Sequence, residues 1–301
     1  MAKAKAIVKR RKAVQNIHKI TRTMQLIANA QFQRAFKRAV ATKPYTRKIT
    51  ELVEQLAADQ EQIEHPLLRV NNGTGRAVLL VITSNRGLCG GYNASLLRTT
   101  SGHLRQWEPP EPGQPARSVD LHVSGRKGIA YFRYHRRPMA ATYTQFEDKP
   151  QFAEVEPIAI EFMRRYAAGE VDSVSVVYTR FESTAYYRPE VLQLLPMQPP
   201  RAKSDEEIGR AAIASPTQYD FSPPPAELLA ELLPLTVKVR LFQCFTDAAV
   251  SEQVSRMVAM KAATDAAGDM IRQLTQAYNR ARQTQITLEL LDIVGGAEAI
   301  A

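Results

Sequence analysis

The chain has 301 residues, 45% of them hydrophobic and 7% aromatic, with a formal charge of +10 at pH 7. That length supports one large or two ordinary domains with a sizeable core, and no run approaches the roughly eighteen apolar residues that a membrane-crossing helix needs. The two cysteines, Cys89 and Cys244, are far apart and belong to no CxxC pair, which argues against a disulfide framework or a zinc site and suits a reducing compartment.

The charge is unevenly spread. Residues 1–50 hold fourteen Lys/Arg and no acid, whereas the remainder has 26 cations against 30 anions. A segment so cationic seeks an anionic partner, whether nucleic acid, acidic lipid or an acidic protein surface. It is poor in serine, unlike a transit peptide, and no apolar region follows it as in a secretory signal.

From Ala2 to about Ala58 the composition predicts a helix, with Pro44 expected to kink or interrupt it. Ile7, Val14, Ile17, Met24 and Ala28 recur in helical steps and are expected on one stripe. The period then changes. The branched apolar run Ala77–Thr83 predicts a buried strand of a parallel sheet. Further strands are expected at Val119–Val123, Ser173–Tyr178 and Val191–Leu195, and helices at Asn93–Trp107, Lys127–Tyr134 and Phe152–Ala168. The alternation indicates an α/β layer domain. Asn71–Gly75, the proline-rich Glu108–Arg117 and Pro196–Pro225 are expected to be loops.

From Ala226 the helix returns, with a break expected at Pro234. Met257, Met260, Thr264, Ala267, Ile271, Leu274, Tyr278, Ala281, Gln285 and Leu288 alternate in steps of three and four, and eight of the ten are apolar. A spacing near 3.5 is the seam of a left-handed coiled coil. A helix from Leu235 to about Val294 would be roughly 90 Å long and cannot bury its stripe alone. Its expected partner is the N-terminal helix, running antiparallel, with the α/β domain inserted between the two.

Chemistry is scarce in this pattern. Ser84–Tyr92 follows a strand and opens a helix, the place of a phosphate-cradling loop. It lacks both GxGxxG and GK[ST], so a structural turn or a partner contact is the preferred reading. The five histidines are dispersed without metal-ligand spacing, and no nucleophile elbow occurs. No cofactor and no catalytic group is expected. The basic stretch Lys9, Arg10, Arg11 and Lys12 fits nucleic acid or an acidic protein surface equally well.

Several segments resemble the signatures of the F-type ATP synthase γ subunits. These are Asn16–Met24, Thr83–Asn93, Ser251–Asp265, Tyr278–Leu290 and Ile293–Ala297, and the resemblance covers nearly the whole chain. It implies a fold of two long helices in an antiparallel left-handed coiled coil with an inserted Rossmann-like α/β domain. Its segments are a 1–70 N-terminal helix, a 71–198 foot domain, a 199–225 linker and a 226–301 C-terminal helix.

The function it implies is that of a non-catalytic rotor. Proton flow turns the shaft inside an α3β3 hexamer and drives ATP synthesis at β. The implied partners are the α and β subunits, the ε subunit and the c-ring, on the cytoplasmic face of a bacterial inner membrane. Met24, Arg256, Arg282, Gln283 and Thr287 fall at its coupling contacts, and Arg86, Gly87, Leu88, Gly90 and Gly91 in its foot loop. Met24 is expected level with Arg256, which would leave the last ~20 residues as a single projecting helix. Asn85 departs from the family's usual Asp, and the 108–117 and 199–210 segments look long. The alternatives are a nucleic-acid-binding coiled coil and a Rossmann-type dinucleotide enzyme.

Overall fold

The computed structural model describes residues 2–58, 65–71, 73–107, 118–146, 149–197 and 225–298. The expected loops at 108–117 and 199–210, and the 199–225 linker apart from Pro225, lie outside the described residues. The elements in order are α1 (Ala2–Ala58), β1 (Arg76–Ile82), α2 (Tyr92–Arg105), β2 (Ser118–Ser124), α3 (Arg126–Tyr134), β3 (Ala141–Tyr143), α4 (Phe152–Ala167), β4 (Ser173–Phe181), β5 (Tyr187–Leu195) and α5 (Pro225–Glu298). Among the described residues no helix is long and apolar enough to cross a membrane.

The chain divides into two compact units. The first is built from α1 up to Ala30, Leu88–Gly90, and α5 from Val254 onward. The second takes Gln31–Gly87 and Gly91–Gln253. Each long helix therefore contributes to both.

The second unit is a five-stranded sheet in the order β3-β2-β1-β4-β5. The first four strands are parallel, and β5 returns as an antiparallel edge paired to β4. The apolar run of β1 is buried on both sides because alternate residues face opposite layers. Val78, Leu80 and Ile82 join one cluster with α4 and the start of α5. Leu79 and Val81 join the other with α2 and α3. The order changes direction at β1, as in doubly wound folds.

Three sequence expectations are corrected. The helix is not broken at Pro234: α5 runs through it without interruption. Pro234 forfeits one intrahelical bond, but Leu229, Leu233, Val237 and Leu241 around it are buried, and that packing outweighs the loss. Pro44 likewise does not interrupt α1, which is held on either side by the buried Ala39 and Ile49. The short strand β3 was not expected. Three residues carry too little periodicity to announce it.

Candidate functional site

In the first unit the seam of α1 against α5 mixes large apolar residues with small and polar ones. On α1, Val14, Thr21 and Ala28 are buried, with Ile7, Arg11, His18 and Met24 half-buried. On α5, Met260, Thr264 and Ala267 are buried, and Met257, Ile271, Leu274, Tyr278, Ala281 and Gln285 are half-buried. Nine of the ten expected α5 seam positions thus face inward, while Leu288 is exposed. Four of the five expected α1 stripe positions face inward, and the fifth, Ile17, is 51% exposed. The next position on the helix, His18, takes the inward place. Its ring lies 4.0 Å from where a Cβ on Gly268 would stand, so the missing side chain makes the room.

Three contacts fix the register. The Thr264 and Thr21 hydroxyls meet at 2.9 Å, His18 lies over Gly268, and the Arg11 guanidinium sits 5.3 Å from the Tyr278 ring centroid. The helices are antiparallel, and Tyr278 faces Arg11 rather than Ala2. By equal rise along the pair, Met24 stands level with about residue 261 and Ala2 with about residue 287. The expected level pairing of Met24 with Arg256 does not hold, and the described single-helix end is about eleven residues rather than twenty. Nothing in the periodicity distinguishes a slip of about one heptad, because such a slip keeps stripe against stripe.

The sequence-selected residues separate into three groups. Lys9, Arg10 and Lys12 are exposed, whereas Arg11 is half-buried over Tyr278 and is a seam residue, not part of the basic surface. Arg256 is only 6% exposed, and Met24 is half-buried. Arg282, Gln283 and Thr287 are exposed near the end of α5, where the Thr287 hydroxyl donates to the Gln283 carbonyl at 3.0 Å.

Around them the helix is apolar on many sides. Ile286, Leu288, Leu290, Leu291, Ile293 and Val294 are 48–72% exposed. At 100° per residue these positions spread over about 220° of the circumference. One facing helix cannot cover such an arc.

The foot loop lies at the C-terminal end of β1. On the first unit's part, Leu88 and Gly90 have positive φ (63° and 56°), and the Cys89 carbonyl accepts a bond from Ser255 Oγ at 2.7 Å. A Cβ on Gly90 would lie 3.5 Å from Ala259 Cβ. On the second unit's part, Gly91 caps α2, Arg86 is exposed, and Gly87 lies beside Lys127.

Asn85 joins two strand ends: its Oδ1 accepts from the Arg126 amide at 3.0 Å, and its Nδ2 donates to the Phe146 carbonyl at 2.7 Å. A carboxylate could make the first bond but not the second. The backbone of the next strand–helix junction is equally engaged. The Lys127 amide donates to the Ser84 carbonyl and the Gly128 amide to Thr83 Oγ1. Cβ atoms on Gly125 or Gly128 would collide with Thr83 at 2.1–2.7 Å, so α3 is drawn against β1 more closely than any side chain allows. The spacing Gly125-x-x-Gly128 directly after a strand was the available signal for this close packing.

In a doubly wound fold the crevice at the C-terminal ends of the strands is the usual ligand site. Here the early part of α5 fills it. Phe245, Ala248, Ala249 and Glu252 of α5 line what remains of it, together with Thr83, Tyr92 and Ser124. Tyr92 donates to the Ala248 carbonyl at 3.2 Å, Ser251 to the Thr179 carbonyl at 3.2 Å, and the Phe146 and Phe245 rings stand 4.5 Å apart. Three groups on this side, Cys244, Tyr143 and Tyr178, are strongly shifted upward by burial. Burial pushes the Cys244 thiol up, which removes it from thiolate chemistry, and burial pushes the Tyr143 hydroxyl up to about 12. His122, buried beside Tyr143, is shifted downward by burial, with a smaller opposing influence from Glu161.

The comparisons with known proteins agree across the whole length. A family model described as ATP synthase matches residues 3–300. The ATP synthase gamma chain of Rhodopirellula baltica is 43% identical over 300 residues, covering 100% of this chain and 99% of that one. The gamma chain of Frankia casuarinae is 40% identical, over 97% and 96% of the two chains. Among solved structures, a chain of the Euglena gracilis mitochondrial ATP synthase has the same fold, with a TM-score of 0.67 at 16% identity over 99% of this chain and 95% of that one. The shared fold, the full-length coverage and the gamma-chain relatives place this chain in the ATP synthase gamma-chain family.

Proposed function

We infer that the chain is the central rotor shaft of a rotary ATP synthase and performs no chemistry of its own. The α1–α5 pair stands inside a ring of α and β subunits, and the sheet unit meets the ε subunit and the c-ring. Proton flow through the membrane sector turns the shaft, which opens and closes the nucleotide sites of β in turn. The complex is held at the cytoplasmic face of a bacterial plasma membrane. Arg282, Gln283 and Thr287 bear on the surrounding β loops, and the exposed Lys9, Arg10 and Lys12 face their acidic side chains.

The observation that carries this reading is the apolar end of α5. Six large hydrophobics spread over more than half of one helix's circumference are costly in water and call for a surrounding sleeve. The crevice filled by α5 supports the absence of a nucleotide site on this chain. The test is co-expression with α and β subunits. The three are expected to purify together, and residues beyond about 287, cut first by protease in the free chain, are expected to be protected in the complex. A free chain and a complex cut equally at that end would overturn the reading.

A further inference from the structure

The two helical layers of the sheet unit differ sharply in charge. On the α4 side, acids and bases coexist and pair: Lys238 with Glu156 at 2.8 Å, Arg164 with Glu170 at 3.1 Å, Arg165 with Asp120. Among the described residues, α2, α3 and the turns that follow them carry no acid. Residues 92–107 and 125–138 hold seven Lys/Arg and not one Asp or Glu. Arg98, Arg105, Arg126, Lys127, Arg133 and Arg136 are exposed, and none of the six makes an ion pair among the described residues.

The same layer offers little apolar surface outward. Leu96, Leu97 and Leu104 of α2, with Ile129 and Phe132 of α3, all turn into the core. The exception is Tyr134, 83% exposed and flanked by Arg133 and Arg136.

We propose that this α2–α3 face is an electrostatic docking surface for the anionic phospholipid headgroups of the membrane beneath the synthase. The proposal rests on the rotor reading for its proximity to a membrane. Cations dispersed over two helices produce a smooth positive field, which matches a charged sheet better than a point ligand. A tyrosine beside arginines is suited to the headgroup region, where its ring and hydroxyl meet different surroundings. A stable protein partner fits less well, because interface cores are depleted in charge and this face has no apolar centre. Nucleic acid fits less well too, since one exposed aromatic makes no stacking platform. A fluid lipid surface also imposes no angular register, so it leaves the shaft free to turn.

The test is sedimentation of the full chain with vesicles of phosphatidylcholine alone or mixed with phosphatidylglycerol. Binding is expected only to the mixed vesicles and is expected to weaken with salt. The variant Arg98→Gln/Arg105→Gln/Arg133→Gln/Arg136→Gln is expected to partition at least about tenfold less. The shaft variant Lys9→Gln/Arg10→Gln/Lys12→Gln is expected to lose much less. A larger loss from the shaft variant, or equal binding to both vesicle types, overturns the proposal. So does a face variant that keeps vesicle binding but loses the ε subunit or single-stranded RNA, which would give the face to a protein or a nucleic acid.

Should the fourfold variant fail to fold, Tyr134→Trp decides. Its emission is expected to shift to the blue with phosphatidylglycerol vesicles only, and an unshifted spectrum overturns the proposal. Co-purification with α and β tests the rotor reading separately, so either can fall without the other.

Discussion

Single residues show where sequence reasoning had purchase and where it lacked it. Asn85 was visible as a departure from the family pattern, but its bonds to Arg126 and Phe146 join segments far apart in the chain and leave no local trace. His122 looked like one of five scattered histidines, yet it is 2% exposed, with Nδ1 3.0 Å from the Tyr143 hydroxyl and Nε2 unpartnered among the described residues. Burial holds its pKa below the ordinary value, so the unfolded chain takes up a proton first as pH falls. Stability from this group is present above about pH 6.5 and declines as pH drops through and below that value. His65 and His103 are shifted the same way and add to the slope. His122→Gln keeps a partner for Tyr143 without titrating. Urea midpoints at pH 7.5 and 5.0 are expected to differ less in this variant than in the parent. An unchanged difference would show that His122 does not couple folding to pH.

At the scale of elements, the strongest periodicities were legible and the compromises were not. Strands and helices of the sheet unit fall within a few residues of their expected bounds, because buried parallel strands and amphipathic helices each carry a distinct period. Pro234 misled because local propensity is weaker than the core formed around Leu233 and Val237. One position of the α1 seam misled for a subtler reason. Hydrophobicity favoured Ile17, yet the seam closes on Thr21 and His18, since Thr264 and Gly268 face them. Gly268 offers a clean test. A methyl there would meet the His18 ring at 4.0 Å, an ordinary contact, and would remove the entropic cost of glycine in mid-helix. Gly268→Ala is expected to stabilise the chain by about 0.5–1 kcal/mol, seen as a higher melting temperature. A lower one would mean that the helices approach more closely than this geometry allows.

For the whole molecule, the family was legible in the sequence and the register was not. Signatures at both ends of the chain carried the resemblance, but the level at which α1 meets α5 depends on Arg11 and Tyr278, a pair that no stripe singles out. The same register leaves the turn around Arg282 and Gln283 near the end of the pair, on exposed helix. A replacement there is expected to spare the fold, since exposed positions away from caps and cores change stability by at most about 0.5 kcal/mol. In the proposed β sleeve, Arg282 and Gln283 would form hydrogen bonds that break and re-form as the shaft turns, those of the charged Arg282 each contributing about 1.5–3 kcal/mol. Arg282→Ala with Gln283→Ala is therefore expected to leave helix content and assembly intact while proton-driven synthesis falls several-fold. Normal synthesis by the assembled double variant would remove these residues from the coupling contact.

The crevice at the end of β1 has a further consequence when α5 is regarded as its ligand. Phe245 and Ala248 occupy the place that a doubly wound fold usually offers to a nucleotide. They belong to a helix that also supplies Leu233, Val237 and Leu241 to the core, so this ligand leaves only when the domain unfolds. A diffusing nucleotide competes against a tethered occupant and gains no purchase on the native state. Millimolar ATP is accordingly expected to leave the melting temperature of the free chain where it was, and a rise would show the crevice to be open. On the expected outcome the shaft is deaf to the cell's energy charge: its shape carries the angle of rotation and nothing about how much nucleotide surrounds it.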